Sequence, residues 1–368
     1  MKAYLILANG LVMEGKSVGV PGTTIGEVVF TTGMVGFEET LTDPSNYGLI
    51  VTQTYPLVGN YGMNKEDMVS DRIWCRGYVV REACDHPSNF RSEMTLDEFL
   101  KEQNTIGIQG IDTRRLTRIL RDQGAMNGAI TTEVDPADEA ALAALMEKIK
   151  AYSITGALEA VASKAAYEVN PEGEPHVAVL DFGCCGDAVR CLEMRGCHVS
   201  VLPYDATVED LKELNADGLM LTTGPGDPAE NTQVIGNVRA MLDTGIAAYG
   251  VGLGHELAAL AAGAKTVKMK HGHRGANQPV TDYKLDRNFI TTQNHGYVVD
   301  SETLPAEAGK VSHVNTNDGT CQGIVYSKWN CETVQFHPEN LGGPREVSFM
   351  LDNFVDRVKK SKEANKNA

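Results

Sequence analysis

The sequence predicts an α/β protein of two domains, a mixed β-rich first domain and a second domain with a central, mostly parallel sheet flanked by helices. The chain of 368 residues exceeds the usual size of one compact domain. Roughly the first 130 residues are rich in Gly, Thr, Val and aromatic residues, with frequent turn signals. Beyond residue 176, short apolar strands alternate with helical segments, which is typical of a parallel sheet.

The two predicted domains are separated by a change of pattern after a helix. Asp135 and Pro136 are expected to open that helix, as N-cap and first-turn proline. A polar breaker at 170–175 (NPEGEP) follows. The predicted divisions are a first domain over 1–150, a linker over 151–175, a second domain over 176–358 and a tail over 359–368.

The second domain is predicted to place its functional site at one edge of the sheet. A helix is predicted between two of the strands, because Thr207 and Asp210 have the spacing of a capping box. Sites in parallel sheets lie beyond the carboxyl ends of the strands. The predicted strands are 177–180, 198–202, 218–222 and 246–251.

Composition and charge exclude several functions. A net charge of −16 argues against nucleic acid, because no basic excess can displace counterions from phosphates. No apolar run is long enough to span a membrane. Eight cysteines without regular spacing suggest reduced thiols in a cytoplasmic protein. Cys184, Cys185 and Cys191 fit no common zinc spacing, so no metal site is expected.

One motif is expected to be false. Residues 10–17 (GLVMEGKS) match the phosphate-loop pattern, which functions only where a helix begins at the Lys-Ser pair. The following residues, VGVPG, cannot open such a helix, so we expect a turn between two strands.

Two segments indicate covalent acyl chemistry. Residues 249–261 pass from an apolar strand through a Gly-dense turn into an Ala/Leu-rich helix, which is the layout of a nucleophile elbow. Far downstream, residues 335–339 (QFHPE) are expected to end a strand in a His with a carboxylate two positions on. Because residues i and i+2 of an extended segment point the same way, Glu339 can orient the ring of His337. These are the base and orienter of a Cys-His-Glu apparatus.

The chain resembles the family of carbamoyl-phosphate synthetase small subunits, which are class I, triad-type glutamine amidotransferases. The resemblance covers almost the whole chain in order. Strings typical of the amidotransferase class are 223–228 (TGPGDP), 250–256 (GVGLGHE), 293–296 (QNHG) and 335–339. Strings typical of the small subunit are 26–30, 41–45, 55–62, 110–118, 263–270, 272–277 and 313–319.

The resemblance implies a reaction and a partner. In this family the elbow cysteine attacks the side-chain amide of glutamine, giving a thioester and ammonia. The ammonia passes to a large subunit, which makes carbamoyl phosphate for pyrimidine or arginine biosynthesis. This chain would need no cofactor, because ATP, Mg²⁺ and bicarbonate would bind the large subunit of the heterodimer.

The sequence departs from the family pattern at four points of the implied site. Gly252 stands at the nucleophile position, and glycine has no side chain with which to attack. Glu256 replaces a Gln that helps to hold the substrate, and would add a charge to the pocket. Cys185 stands where a Lys is usual, and Thr223 where an Asn is usual. The other implied substrate contacts match the family, as do His337 and Glu339; they are Ser45, Gly224, Gly226, Leu253, Asn294, Gly296 and Tyr297.

These departures leave several hypotheses. The first is a small subunit without glutaminase activity that supports an ammonia-using large subunit. The second is a glutaminase whose nucleophile has moved to Cys184 or Cys185. The third is a non-catalytic module whose altered pocket binds glutamine or another small metabolite. An engineered Cys-to-Gly change is a fourth, but the changes at Cys185 and Glu256 make it less attractive.

Other conspicuous residues have plainer interpretations. His255 is expected to pack or hydrogen-bond near the start of the elbow helix, and His271, His273 and His295 to shape the frame. Arg114, Arg115 and Arg118 resemble a phosphate site, but on a short amphipathic helix we expect them to form salt bridges or face a partner.

Overall fold

The computed structural model describes residues 1–184, 186–339 and 343–366, which form two compact units. The first unit comprises Met1–Thr155 together with Lys270–Arg274. The second comprises Gly156–Met269 and the chain from Gly275 onward. The division after Thr155 lies inside the segment 151–175 that the sequence gives as linker. The return of 270–274 to the first unit has no signal in the sequence.

The first unit is built around a closed β-barrel with strand order β1-β2-β8-β6-β4-β3-β9. Val18, Val29 and Tyr78 are among the apolar side chains that form its cores. The false phosphate-loop motif lies here, with Gly10 at φ 87° in the turn before β2, so the expected turn between strands is confirmed. The strands are β1 Lys2–Leu7, β2 Val12–Gly19, β3 Thr23–Thr31, β4 Leu49–Gln53, β5 Leu57–Val58, β6 Gly77–Val79, β7 Glu82–Ala83, β8 Ile106–Gln109 and β9 Met126–Thr131.

The helices of the first unit include one whose predicted start is wrong. Asp135 is the predicted N-cap, but α4 begins at Glu139 with Asp138 as its cap. The Asp138 carboxylate accepts from the amides of both Ala140 and Ala141, whereas Asp135 only closes a preceding turn at Ala137. Asp138 is therefore the N-cap, because its carboxylate accepts hydrogen bonds from two first-turn amides that have no partner within the helix. The helices are α1 Phe37–Thr42, α2 Leu96–Glu102, α3 Thr113–Gln123 and α4 Glu139–Ala151.

The second unit contains a sheet of ten strands in the order β10-β12-β11-β13-β14-β19-β18-β17-β15-β16. The pairs from β12 to β19 are parallel, whereas the pairs β10–β12, β18–β19, β17–β18 and β15–β17 are antiparallel. This is the predicted mostly parallel sheet. The strands are β10 Tyr167–Val169, β11 His176–Asp181, β12 His198–Pro203, β13 Gly218–Leu221, β14 Ala247–Val251, β15 Lys265–Asp282, β16 Arg287–Asp300, β17 Gly309–Asn315, β18 Cys321–Tyr326 and β19 Cys331–Val334.

Helices connect the parallel strands and cover the sheet. Thr207 caps α7 with Asp210 in a reciprocal capping box, as the spacing predicts. Apolar side chains of α8 and α9 share one core with β13, and α10 packs in another with β14. The helices are α5 Ala157–Val161, α6 Gly186–Glu193, α7 Val208–Leu214, α8 Thr232–Leu242, α9 Leu253–Ala261 and α10 Phe349–Lys366.

The start of α9 lies close against β13. A β-carbon on Gly254 would lie 2.5 Å from the carbonyl oxygen of Leu221 and 2.7 Å from its Cβ. The Gly254 amide donates to the carbonyl of Thr222, 2.9 Å away. Only glycine permits this approach, which fixes the height of the helix start above the sheet.

We expect G254A to lower the free energy of unfolding by about 1–3 kcal/mol, because the methyl group overlaps backbone that cannot move cheaply. The matched control is G236A in α8, where an exposed β-carbon would meet nothing within 4 Å. That change should raise stability by roughly 0.5–1 kcal/mol through helix propensity. Urea unfolding of both variants measures the contrast, and equal midpoints would contradict the packing argument.

Candidate active site

The turn between β14 and α9 has the backbone of a nucleophile elbow. Gly252 caps α9 with φ 54° and ψ −114°, a conformation that is strained for any residue with a side chain. Its amide donates to the carbonyl of Val334, and its carbonyl accepts from the amides of His255 and Glu256. The strand, sharp turn and helix therefore lie where the sequence predicts them, with a residue at the turn that offers no nucleophile.

The space in front of Gly252 is occupied by Thr223. A β-carbon on residue 252 would lie 2.7 Å from Cβ of Thr223 and would overlap its Oγ1. Thr223 itself is buried, at the start of the loop that follows β13. A side chain at position 252 therefore requires Thr223 to move. The sequence marks both positions as unusual but does not reveal that they touch.

His337 and Glu339 form the predicted hydrogen-bonded pair. Nδ1 of His337 lies 3.0 Å from Oε1 of Glu339, and both side chains are buried. The His337 amide donates to the carbonyl of Thr292, and the Cys191 thiol donates to the Glu339 carbonyl at 3.3 Å. The carboxylate thus fixes the ring orientation, as it does for a catalytic base. The expected strand through His337 is wrong, because β19 ends at Val334 and the pair lies in the bend beyond it.

The elbow and this pair share one edge of the sheet. Val251 and Val334 are paired in the parallel strands β14 and β19. Gly252 and the segment leading to His337 follow these two residues directly. Both therefore lie beyond the carboxyl ends of neighbouring strands, where sites in such sheets form.

Glu256, in the first turn of α9, is an uncompensated buried acid. It is 4% exposed, and its Oε1 has no hydrogen-bond partner. Burial raises the pKa of Glu256 to about 8; the neighbouring Gln335 carboxamide opposes the shift, and the charge of Asp227 adds to it. The raised pKa favours the neutral acid over the expected charge near pH 7.

Gln335 is a site residue whose role the sequence analysis missed. It is fully buried beside Glu256, yet neither its oxygen nor its nitrogen has a partner at hydrogen-bond distance and angle. Its position two residues before His337 was the available signal. Unpaired buried polar groups are uncommon in native proteins and often mark a place for water or a ligand.

The loop after β13 carries two of the predicted substrate contacts, Gly224 and Gly226, and the elbow itself carries a third, Leu253. A β-carbon on Gly224 would overlap the carbonyl oxygen of Phe182 and would lie 3.1 Å from Cδ2 of Leu253. Gly226 has φ 93°, and its β-carbon would lie 3.0 Å from that of Ala157. Leu253 is buried directly after Gly252. These residues form close backbone packing around the elbow.

The predicted contacts on β16 lie near the His337 segment. Asn294, Gly296 and Tyr297 are half-buried, two to five residues beyond Thr292, whose carbonyl holds the His337 amide. His295 between them bonds the Gln293 side chain at 2.9 Å and the Tyr297 carbonyl at 2.7 Å. His295 therefore has the frame-building role that the sequence predicts.

The remaining candidates have different outcomes. Ser45 belongs to the first unit, in a 3-10 turn where its amide donates to Asp43. Cys184 is half-buried, and its amide donates to the Thr223 carbonyl at 3.3 Å, which puts its loop next to the one that faces Gly252. Cys185 lies outside the described residues.

His255 has a structural environment. It is fully buried, and its Nδ1 lies 2.7 Å from the hydroxyl of Thr333. Burial lowers the pKa of the His255 imidazole to about 3, so the ring stays neutral. Its neutral, hydrogen-bonded state agrees with the structural interpretation.

Within the described part of the chain, two kinds of feature are absent. No group of three or more His, Cys, Asp or Glu side chains is placed to hold a metal ion. None of the described helices combines the length and the apolar character needed to cross a membrane. Each cysteine among these residues is a free thiol.

Comparison with known proteins identifies both units. Residues 5–130 match the CPSase domain of the carbamoyl-phosphate synthase small chain, and residues 178–357 match the class-I glutamine amidotransferase family. The carbamoyl phosphate synthase small chain of Clostridium perfringens is 44% identical over 96% of this chain and 99% of its own. That of Archaeoglobus fulgidus is 43% identical over 98% and 99%, respectively. The small chain of Bacillus caldolyticus is 44% identical over 98% and 97%. The chain therefore belongs to the carbamoyl-phosphate synthase small-chain family.

Proposed function

We propose that this small chain has lost glutaminase activity and serves as the partner of a large subunit that uses free ammonia. The observation that carries the proposal is the elbow itself. Gly252 offers no nucleophile, and Thr223 fills the space that a side chain there would need. ATP, Mg²⁺ and bicarbonate would bind the large subunit, and the complex would work in the cytoplasm, where thiols remain reduced.

The chemistry of amide cleavage supports this proposal. A covalent route needs a thiolate or hydroxyl that attacks the amide carbon, with His337 as base and Glu339 as its orienter. Without that atom, His337 can at most activate a water molecule. General-base assistance contributes roughly 10²–10⁴-fold, far less than the full covalent apparatus provides. The remaining pair is therefore insufficient for useful glutamine turnover.

A relocated nucleophile is a second candidate, favoured by one contact. The Cys184 amide bonds the Thr223 carbonyl, so the loop carrying Cys184 and Cys185 adjoins the loop in front of Gly252. A thiol there would have to reach both His337 and a donor for the developing oxyanion. This candidate is tested together with the leading one.

Ligand binding without catalysis is a third candidate, favoured by the unpaired atoms of Glu256 and Gln335. Oε1 of Glu256 and both polar side-chain atoms of Gln335 are buried without a hydrogen-bond partner. Glutamine or another small metabolite that donates and accepts hydrogen bonds would satisfy them. Calorimetric titration with glutamine, with E256Q as comparison, tests this candidate.

We expect no glutamate release from millimolar glutamine above that of H337A, for the chain alone or mixed with the large subunit. The same mixture should make carbamoyl phosphate from ammonium chloride. Coupled detection of glutamate and of carbamoyl phosphate measures both. Glutamate release that depends on His337 and disappears in C184A or C185A would instead establish a relocated nucleophile.

We expect G252C alone not to restore turnover and to be less stable than the parent. The positive φ costs a non-glycine residue about 1–3 kcal/mol, and the contact with Thr223 adds to it. G252A is the matched control, since it has the same β-carbon without the thiol.

The double variant G252C/T223G should recover part of that stability, because it removes the two atoms closest to the new β-carbon, Oγ1 and Cβ of Thr223, and leaves the Cα of residue 223 at 3.5 Å. The expected coupling between the two sites is about 0.5–3 kcal/mol in a double-mutant cycle. Additive effects on unfolding, or glutamine turnover at the family's level in G252C alone, would refute the occlusion argument.

We expect E256Q to stabilise the protein increasingly between pH 5 and pH 8. The pKa of Glu256 rises from 4.5 in the unfolded chain to about 8 in the native state, so the native state binds the extra proton across this window. Unfolding free energy is therefore lost as pH rises, by up to about 1.4 kcal/mol per pH unit, and levels off above pH 8. Denaturant titrations at several pH values measure the difference, and E209Q, an exposed first-turn change in α7, is the control. A gap between E256Q and the parent that stays constant with pH would contradict the neutral buried acid.

A further inference from the structure

The first unit has an exposed face of arginines on α3. Arg114, Arg115 and Arg118 are exposed, whereas Leu116 and Leu120 of the same helix are buried against the barrel. The arginines line an open depression of about 440 Å³ on the surface. The helix therefore packs through one face and presents guanidinium groups to solvent on the other.

The three arginines have no ion-pair partner within the described part of the chain. None of them forms an ion pair within 4 Å there, whereas the nearby Arg121 pairs with Asp122 at 2.8 Å. Arg118 acts on the charge of Asp122 only at longer range. The salt-bridge interpretation of these three residues is therefore wrong, and the partner-facing interpretation is the one that remains.

Helix stability does not account for them. Arg114 and Arg115 lie in the first turn of α3, which contains no acidic residue. Cations there oppose the helix macrodipole, which favours them at the last turn. Arg114 and Arg118 are also like charges four residues apart, an unfavourable spacing. Such an arrangement weakens the isolated helix, so its explanation lies in what the arginines bind.

We propose that the arginine face of α3 (Arg114, Arg115 and Arg118) docks against a carboxylate-rich surface of a partner protein. The inference rests on the proposed function, in which that partner is the large subunit. Guanidinium groups bind carboxylates in a bidentate manner and keep their charge on dehydration. They form a local positive patch on a chain of net charge −16, which disfavours nucleic acid as the occupant.

An acidic protein surface fits this face better than a small anion does. The depression is open to solvent, so it does not enclose a small anion. Its lining also includes Asp112 and Asp122, and an extended protein surface can place its carboxylates opposite the arginines and away from these two acids. Complementary charge at such a rim accelerates association and fixes orientation. The docking is therefore expected to depend strongly on ionic strength.

The test compares R114Q/R115Q/R118Q with K148Q/K150Q in binding to the purified large subunit. Lys148 and Lys150 are exposed lysines in the last turn of α4, so the control also removes cations from a helix of the first unit. Biolayer interferometry at several salt concentrations gives affinity and salt dependence. We expect the triple variant to bind at least tenfold more weakly at low salt, with a shallower salt dependence, while its melting temperature is unchanged or higher.

The outcomes separate this inference from the proposed function. Equal binding of the parent, the control and the triple variant would overturn the docking face and leave the large subunit as partner. No binding by the parent would overturn both. Saturable binding of inorganic phosphate by the parent, lost in the triple variant, would assign the face to a small anion and would also overturn the proposal.

Discussion

The contact between the elbow and the loop after β13 is the constraint on which the site of the second unit depends. Gly254 brings the start of α9 within hydrogen-bond distance of the Thr222 carbonyl, and Gly252 turns the chain in a conformation that glycine adopts at little cost. The same approach leaves Thr223 in front of the turn residue. The close packing and the lack of a side chain at position 252 therefore go together, because Thr223 occupies the space that a cysteine side chain there would need.

This constraint also explains why the rest of the site can remain ordered. The His337–Glu339 pair is held by contacts that do not involve a side chain at position 252, namely the Thr292 carbonyl and the Cys191 thiol. The edge of the sheet fixes the backbone on both sides through the pairing of β14 with β19. The His337–Glu339 pair therefore keeps its geometry without any side chain at position 252.

The sequence predicted those features that depend on local pattern. Alternating strands and helices gave the parallel sheet, Thr207 and Asp210 gave a capping box, and the spacing of His337 and Glu339 gave their pairing. Local pattern failed where two local signals competed, as with Asp135 and Asp138 at the start of α4. Asp135 precedes a proline and resembles a cap, but Asp138 reaches two amides, which only the three-dimensional turn decides.

Features that depend on distant contacts or on burial could not be predicted. Thr223 and Gly252 are far apart in the chain, and nothing in either residue type indicates that one occupies the other's space. Glu256 was expected to be charged, but its ionisation depends on a dry environment that no sequence spacing encodes. A neutral carboxylic acid both donates and accepts a hydrogen bond, as a carboxamide does. Burial therefore makes position 256 a donor as well as an acceptor, whereas Gly252 offers no atom that could attack a substrate.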